Sequence, residues 1–416
     1  MYFVLYVNKL KNGLSFCIEN IDSDFVTISY FVHAGSFDEP DDKLGIAHLT
    51  EHLVFKGTMN REAKSIFTEI EQLGGSMNAY TTEDHTVFYV TILKEHWKEA
   101  LDVLSDIIWN NTIPEEEFDR ERNVVLEELK MYHDDGSRRI LDNMTKVAYK
   151  DAKNKWNNGG TIASVSNITK QDVENFIDNF YIPDKITIYI TGNINCEEVT
   201  DFIDKYTSNY KFDDEIKEFR NNSCIVNVEN NEEDIDTTQS HMIAYFPYKF
   251  EQSIKNFIIA DMALDIFGNG FSSRLIEIRE KYGYAYTICC SMFSSFPESL
   301  IYVYVGLNKN NIDNTQKLIL KKMKEIKENG ITEKEFETSY NCYQTLLKKK
   351  SLFTESMNDF RISLMGMGID LNNVDFQNIV EQLETISIDD LNNFYKNVFD
   401  VDNVGFITLL QTKSEE

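Results

Sequence analysis

In Leu73-Gly74-Gly75-Ser76-Met77-Asn78-Ala79-Tyr80-Thr81 a helical pattern gives way to an extended one. Apolar residues at three-to-four spacing run from Ala63 up to the glycine pair, and a hairpin pattern follows from Asn78 to Leu93. A further helical pattern begins at Glu95. The same order returns later: a helix ending in Tyr282-Gly283, a hairpin ending near Leu307, and a helix from Asp313. Gly283 stands 208 positions after Gly75, which predicts duplication of one α+β unit.

Working outward, Val4 to Glu19 alternates around Asn12-Gly13 as a hairpin, and Phe25 to His33 reads as a strand. Ala47 to Lys56, Pro114 to Tyr132 and Lys170 to Asn179 have helical spacing, and Ile186 to Gly192 reads as a strand. The polar run Lys211 to Asn222 reads as a linker. The expected architecture is therefore two homologous α+β domains, residues 1–210 and 223–416, joined by 211–222, each a mixed or antiparallel sheet packed with helices. A length of 416 residues with 42% apolar content is ample for two cores.

Forty-one basic residues against 69 acidic ones leave a formal charge of −28, which argues against nucleic acid and anionic membranes as partners. No apolar stretch approaches the length of a membrane span, and the opening MYFVLYV is too short for a signal-peptide core. The six cysteines, Cys17, Cys196, Cys224, Cys289, Cys290 and Cys342, have no metal-ligand spacing and read as thiols in a reducing compartment. A cytoplasmic location is the expectation.

The chemistry concentrates in His48-Leu49-Thr50-Glu51-His52. Spacing of i, i+4 puts the two imidazoles on one helix face, and Glu51 at i+3 shares it. Catalytic zinc takes three protein ligands and leaves a fourth position for water, so His48 and His52 supply two, with Glu51 as general base. Leu53-Val54-Phe55 behind the motif makes the segment amphipathic, where unpaired polar groups are costly. The acidic helix Pro114 to Tyr132 is rich in candidates for a third ligand: Glu115, Glu116, Glu117, Glu121, Glu127 and Glu128. Helical geometry puts Glu128 on the side of Val124 and Val125, with Glu121 two turns earlier, and points Glu127 roughly 100° away.

With these residues in view, the chain resembles the pitrilysin and insulin-degrading metallopeptidases, most closely two-domain members such as the catalytic subunit of the mitochondrial processing peptidase and its bacterial relatives. His33-Ala34-Gly35-Ser36, Asp38-Glu39-Pro40 and Phe55-Lys56-Gly57-Thr58 also match. The resemblance implies a half-clamshell of two such domains and one zinc ion per chain. Glu128, 76 positions after His52, would be the third ligand, and Glu121, seven before it, a supporting carboxylate. It implies that Gly74 to Thr81 carries substrate as an added β-strand, with Asn78 and Ala79 in contact. It further implies that Arg279 and Tyr286, after the glycine-containing run Phe267 to Leu275, hold the scissile peptide and the developing oxyanion.

One zinc half and one Arg/Tyr half imply that a complete chamber needs a second chain, so a homodimer acting on unfolded peptides is expected. The rival expectations are a catalytically inactive or heterodimeric processing or core subunit of the same fold, and a metal that is structural or not zinc. Glu83 and Asp84, beyond the proposed substrate strand, read as solvated loop acids.

Overall fold

A computed structural model describes residues 4–150, 157–208, 226–293, 299–371 and 374–412. The linker expected at 211–222 lies outside the described residues. In the first half β1 (Val4–Lys9), β2 (Ser15–Asn20), β3 (Phe25–Val32), β4 (Ser76–Thr81), β5 (Thr86–Leu93) and β6 (Ile186–Gly192) form one mixed sheet in the order β1-β2-β6-β3-β5-β4. Every neighbouring pair is antiparallel except β2 with β6. In the second, β7 (Asn231–Ile235), β8 (Ser240–Tyr248), β9 (Ala285–Phe293), β10 (Ser299–Leu307) and β11 (Gly405–Gln411) form the order β7-β11-β8-β10-β9, again with one parallel pair, β7 with β11. The second sheet repeats the first without its outer strand β1. Two α+β domains of one pattern are present, as the repeated sequence order predicts.

The helices are α1 (Ile46–Val54), α2 (Ala63–Gln72), α3 (Trp97–Trp109), α4 (Glu115–Asp134), α5 (Gly136–Ala148), α6 (Ile162–Ser166), α7 (Lys170–Phe180) and α8 (Cys196–Thr207) in the first half. The second has α9 (Ile254–Gly268), α10 (Ile276–Glu280), α11 (Ile312–Asn329), α12 (Glu333–Lys350), α13 (Thr354–Gly366), α14 (Phe376–Glu384) and α15 (Ile388–Val398). Two large apolar cores result, one around β3 and α3, the other around β8 and α9, and two smaller clusters lie where α5 meets the second sheet and α13 the first. The residues of β3 after Phe25 are all buried because helices cover both of its faces.

One of those helices comes from the other half. α13 packs on β3 and β6, while α5 packs on β8 and β11, so the halves exchange a helix in each direction. Thr27 Oγ1 donates to Thr354 Oγ1 at 2.9 Å and Ser29 Oγ to Asn358 Oδ1 at 2.6 Å across one crossing. Asn143 Nδ2 donates to Glu233 Oε2 at 2.7 Å across the other. The sequence expectation of two domains separated at a linker does not contain this exchange, because the apolar residues of α5 and α13 show that each helix packs but not on which sheet. Among the described residues five cysteines are unpaired, and no helix is long and apolar enough to cross a membrane.

Candidate active site

Local chemistry fixes α1 before it can present anything. Its N-terminus starts after Gly45, whose φ of +91° disfavours other residues. The carboxylate of Glu39, buried at 1% exposure, accepts from the backbone N–H of Gly45 at 2.8 Å and of Ala47 at 2.9 Å. A negative cap on these orphan donors stabilises the helix by about 1 kcal/mol. Leu49 and Leu53 are fully buried on the core side, each contributing roughly 1.5–3 kcal/mol by burial. Over the same N-terminus lies Gly159-Gly160: a Cβ on Gly45 would stand 2.3 Å from the carbonyl oxygen of Gly159, and one on Gly160 2.3 Å from that of Leu44. No side chain fits at this crossing.

The opposite face of α1 carries His48, Glu51 and His52. Their ring partners across the gap come from α4, whose buried face is Phe118, Glu121, Val125 and Leu129. Val124 is 46% exposed, so the side it shares with Glu128 is the rim of the helix, and Glu121 and Val125 define the buried face. Glu127 points to solvent and pairs with Lys130, as helical geometry required.

His48, His52 and Glu128 offer ligand atoms all within 4.8 Å of one another. Oε2 of Glu128 lies 3.8 Å from Nε2 of His48 and 3.7 Å from Nε2 of His52, too far for hydrogen bonds. Ligands on zinc–ligand bonds near 2.1 Å in a tetrahedron stand about 3.4 Å apart, so the donor set and its spacing fit a divalent ion. Glu121 Oε2 stands 3.3 Å from Nδ1 of His52, and its other oxygen 3.0 Å from Nζ of Lys56. A carboxylate on the far nitrogen fixes which nitrogen of His52 faces the gap. Glu128 also accepts a hydrogen bond from the Tyr132 hydroxyl, and Arg138 lies 4.0 Å over the Tyr132 ring.

Burial pushes His48 down to about 4, the His52 ring adds to this, and Glu128 opposes it. A neutral imidazole is the form that binds metal. Burial pushes His52 down as well, but its bond to Glu121 and the carboxylates of Glu51, Glu128 and Glu121 raise it overall. Glu51 is raised by burial against a 2.6 Å hydrogen bond from Thr81 Oγ1 and the nearby His52. Glu121 is lowered because its bonds to His52 and Lys56 outweigh burial.

Thr81, which sequence reasoning passed over within a longer matching run, thus joins the end of β4 to Glu51. β4 is the outer strand of its sheet and, among the described residues, pairs with β5 alone. Asn78 is exposed, Ala79 half-buried, and Oδ1 of Asn78 accepts from the N–H of Ala79 at 2.9 Å. Glu83 is not a solvated loop acid: burial raises its carboxyl, while Asn158 hydrogen-bonds it. Asp84 pairs with His85 at 2.8 Å.

Arg279 and Tyr286 stand apart from all of this. Arg279 is half-exposed beside Glu280 at 3.4 Å and over the ring of Phe271 at 5.9 Å, and Tyr286 is 61% exposed. Among the described residues no hydrogen bond, ion pair or ring contact joins either to His48, Glu51, His52 or Glu128.

Residues 16–157 match the profile "Insulinase (Peptidase family M16)" and residues 167–341 the profile "Peptidase M16 inactive domain". A Bacillus subtilis (strain 168) protein named "Uncharacterized zinc protease YmxG" is 28% identical over 404 residues, 94% of this chain and 95% of its own. The "Mitochondrial-processing peptidase subunit beta" of Saccharomyces cerevisiae is 34% identical over 204 residues, 48% of this chain and 43% of that one. The crystal structure of a protease from Helicobacter pylori superposes with a TM-score of 0.89 at 20% identity, covering 98% of this chain and all of that one. With both profiles of one family in order along the chain, relatives of matching length and the same two-domain fold, the chain belongs to the insulinase family of peptidases, family M16.

Proposed function

We propose that this chain is a zinc-dependent endopeptidase acting on unfolded peptides, with His48, His52 and Glu128 as metal ligands, one ion per chain. The observation that carries the reading is the convergence of three ligand atoms within 4.8 Å, beside a buried carboxylate that is not one of them. Zinc, when bound there, supplies a Lewis acid for a peptide carbonyl and lowers the pKa of water.

The remaining steps belong to the chain. Glu51, held by Thr81, accepts the proton of the attacking water and returns it to the leaving amine. Its raised pKa moves it toward the operating pH, which suits a group that both takes and gives a proton. Glu121 orients His52. The free edge of β4 receives the peptide as an added strand, with Asn78 and Ala79 in contact. Arg279 and Tyr286, exposed and remote in their contacts from the ligands, act across a chamber closed by a second copy of the chain in a homodimer. A heterodimer is the second reading, favoured by relatives named as the beta subunit of a processing peptidase.

Glu51→Gln tests the core of this. The variant should keep one zinc per chain by metal analysis and lose casein or peptide cleavage by about 10³-fold. Loss of metal and turnover together would mean Glu51 is a ligand, and cleavage unchanged by chelators would end the zinc reading. Mixing Glu51→Gln with an Arg279→Ala/Tyr286→Phe chain should restore activity if the pair works in trans.

A further inference from the structure

The two faces of β4 are unequal. Met77 and Ala79 pack into the core beneath α1, and Thr81 on that side reaches Glu51. Alternation turns Asn78 and Tyr80 to the opposite face, where Tyr80 pairs with Val87 and Asn78 with Tyr89 across the ladder. That face belongs to α13, the helix donated by the second half. Its Ile362 packs with Phe31 and Val87, and Tyr80 and Tyr89 lie against this cluster.

α13 sits over β3 and β6, so between its flank and the outer strands β5 and β4 a cavity of about 280 Å³ is left. Tyr80 and Tyr89 form its aromatic wall, and Glu355 and Asp359, one turn apart on the exposed flank of α13, its acidic one. Asp359 stands close enough to add to the burial that raises the Tyr80 phenol, and Glu355 does the same at Tyr89. Neither acid has a salt-bridge partner within 4 Å among the described residues.

We propose that this cavity is a specificity pocket for a lysine or arginine side chain of the peptide, built by the second half of the chain for the site of the first. The inference rests on the endopeptidase reading and on strand addition at β4. A residue of the added strand opposite Asn78 or Tyr80 must point to the α13 face, because directly opposed residues share a face. Strands stand about 4.8 Å apart, so its side chain starts one strand outside Tyr80 and has to extend inward past that ring. Only a long side chain does so. An aliphatic stem lies on the tyrosine rings, a cation over them is attracted by their faces, and Glu355 and Asp359 meet its charge. Residues at the alternate positions point toward α1 and Glu51, so the preference concerns one parity of positions and leaves the other to different contacts.

Profiling the zinc-loaded wild-type chain on a peptide library, with Lys, Arg, norleucine and Glu varied at each position, tests this. One position, or two positions two apart, should show at least a tenfold advantage in kcat/KM for Lys and Arg over norleucine. In Glu355→Gln/Asp359→Asn that ratio should collapse to within about twofold, and in Glu355→Lys/Asp359→Lys glutamate should overtake lysine at the same position. Thermal melting and zinc content of each variant show that it is folded, and the neutral pair suffices if the reversed one is not. Cleavage with no basic preference, or a preference that survives both variants, overturns the pocket and leaves the peptidase standing. Absence of cleavage and of bound zinc would remove the peptidase reading itself.

Discussion

The two halves use one framework for opposite ends. Phe118, Glu121, Val125 and Leu129 form the inner face of α4; 218 positions later, Phe336, Ser339, Tyr343 and Leu347 form that of α12. Where α4 brings Glu121 to His52, α12 brings Ser339, whose hydroxyl donates to the carbonyl of Met262 at 3.3 Å. Where α4 has Glu128, α12 has Leu346. Facing them, α1 carries two histidines and α9 none; the buried residues of α9 are apolar or glycine, with the part-buried Asp261 beside them. Duplication therefore supplied a scaffold twice and, among the described residues, a cluster of metal-ligand atoms once. Besides the Arg279 and Tyr286 proposed to act across the chamber, the second copy lends α13 behind the first sheet.

The most severe way to break this contrast is to make the first half like the second at the decisive position. Glu128→Leu should weaken zinc binding by about 100-fold or more, since a bound zinc ion owes roughly 3 kcal/mol to each of its ligands. Competition with a chelating dye measures it. Leu346→Glu in the second half should create no second site, because no histidine faces it. Unchanged affinity in Glu128→Leu would put the third ligand elsewhere.

The crossings sharpen the same contrast at lower cost. At α13 both members of the pair Glu19–Arg361 are fully buried, 3.3 Å apart, and Glu19 also accepts from the Tyr189 hydroxyl and, at 2.7 Å, the N–H of Phe376. At α5 the pair Arg139–Glu233 is 19% and 39% exposed. Removing one partner of a buried pair leaves an uncompensated charge, so Glu19→Gln should cost about 3–5 kcal/mol. Glu233→Gln should cost about 0–1 kcal/mol. Urea unfolding midpoints compare them. Adding Arg361→Met to Glu19→Gln should recover most of the loss, and equal midpoints for the two single variants would mean that α13 is no more firmly docked than α5.

Much of this was legible in the letters. Helix and strand periodicity, turn glycines and the return of one element order foretell the strands of the first sheet and the β9–β10 hairpin of the second, but not β7, β8 or β11, and the i, i+4 histidines foretell the face they share. Glu128 and Glu121 stand beside the histidines of α1, and Val124 marks the rim that Glu128 shares rather than the buried face of α4. What did not show is what depends on contact between distant segments. Gly159-Gly160 over Gly45, the Glu39 cap and the bond from Thr81 to Glu51 carry no local period. The exchange of α5 and α13 is invisible for the same reason: a helix's apolar face says that it packs, not on which sheet.

A last, smaller effect lies in a carboxylate that the second half keeps without a metal to face. Asp261 on α9 is pushed up to about 7, first by burial and then by neighbouring Asp265, with Lys350 opposing. The native chain holds this proton where the unfolded chain has already lost it. Its contribution to stability is therefore full below the ordinary value of 3.8 and is lost as pH rises toward 7. Asp261→Asn removes the dependence: its melting temperature relative to the parent should rise between pH 4 and pH 7.5, by a few degrees at most. The buried Glu121 of the first half, held below its usual range by His52 and Lys56, contributes in the opposite sense, stabilising above its ordinary value and losing that as pH falls. Parallel melts of Asp261→Asn and Glu121→Gln should therefore diverge from the parent with opposite slopes in pH, and equal slopes would refute the opposite directions of shift at these two carboxylates.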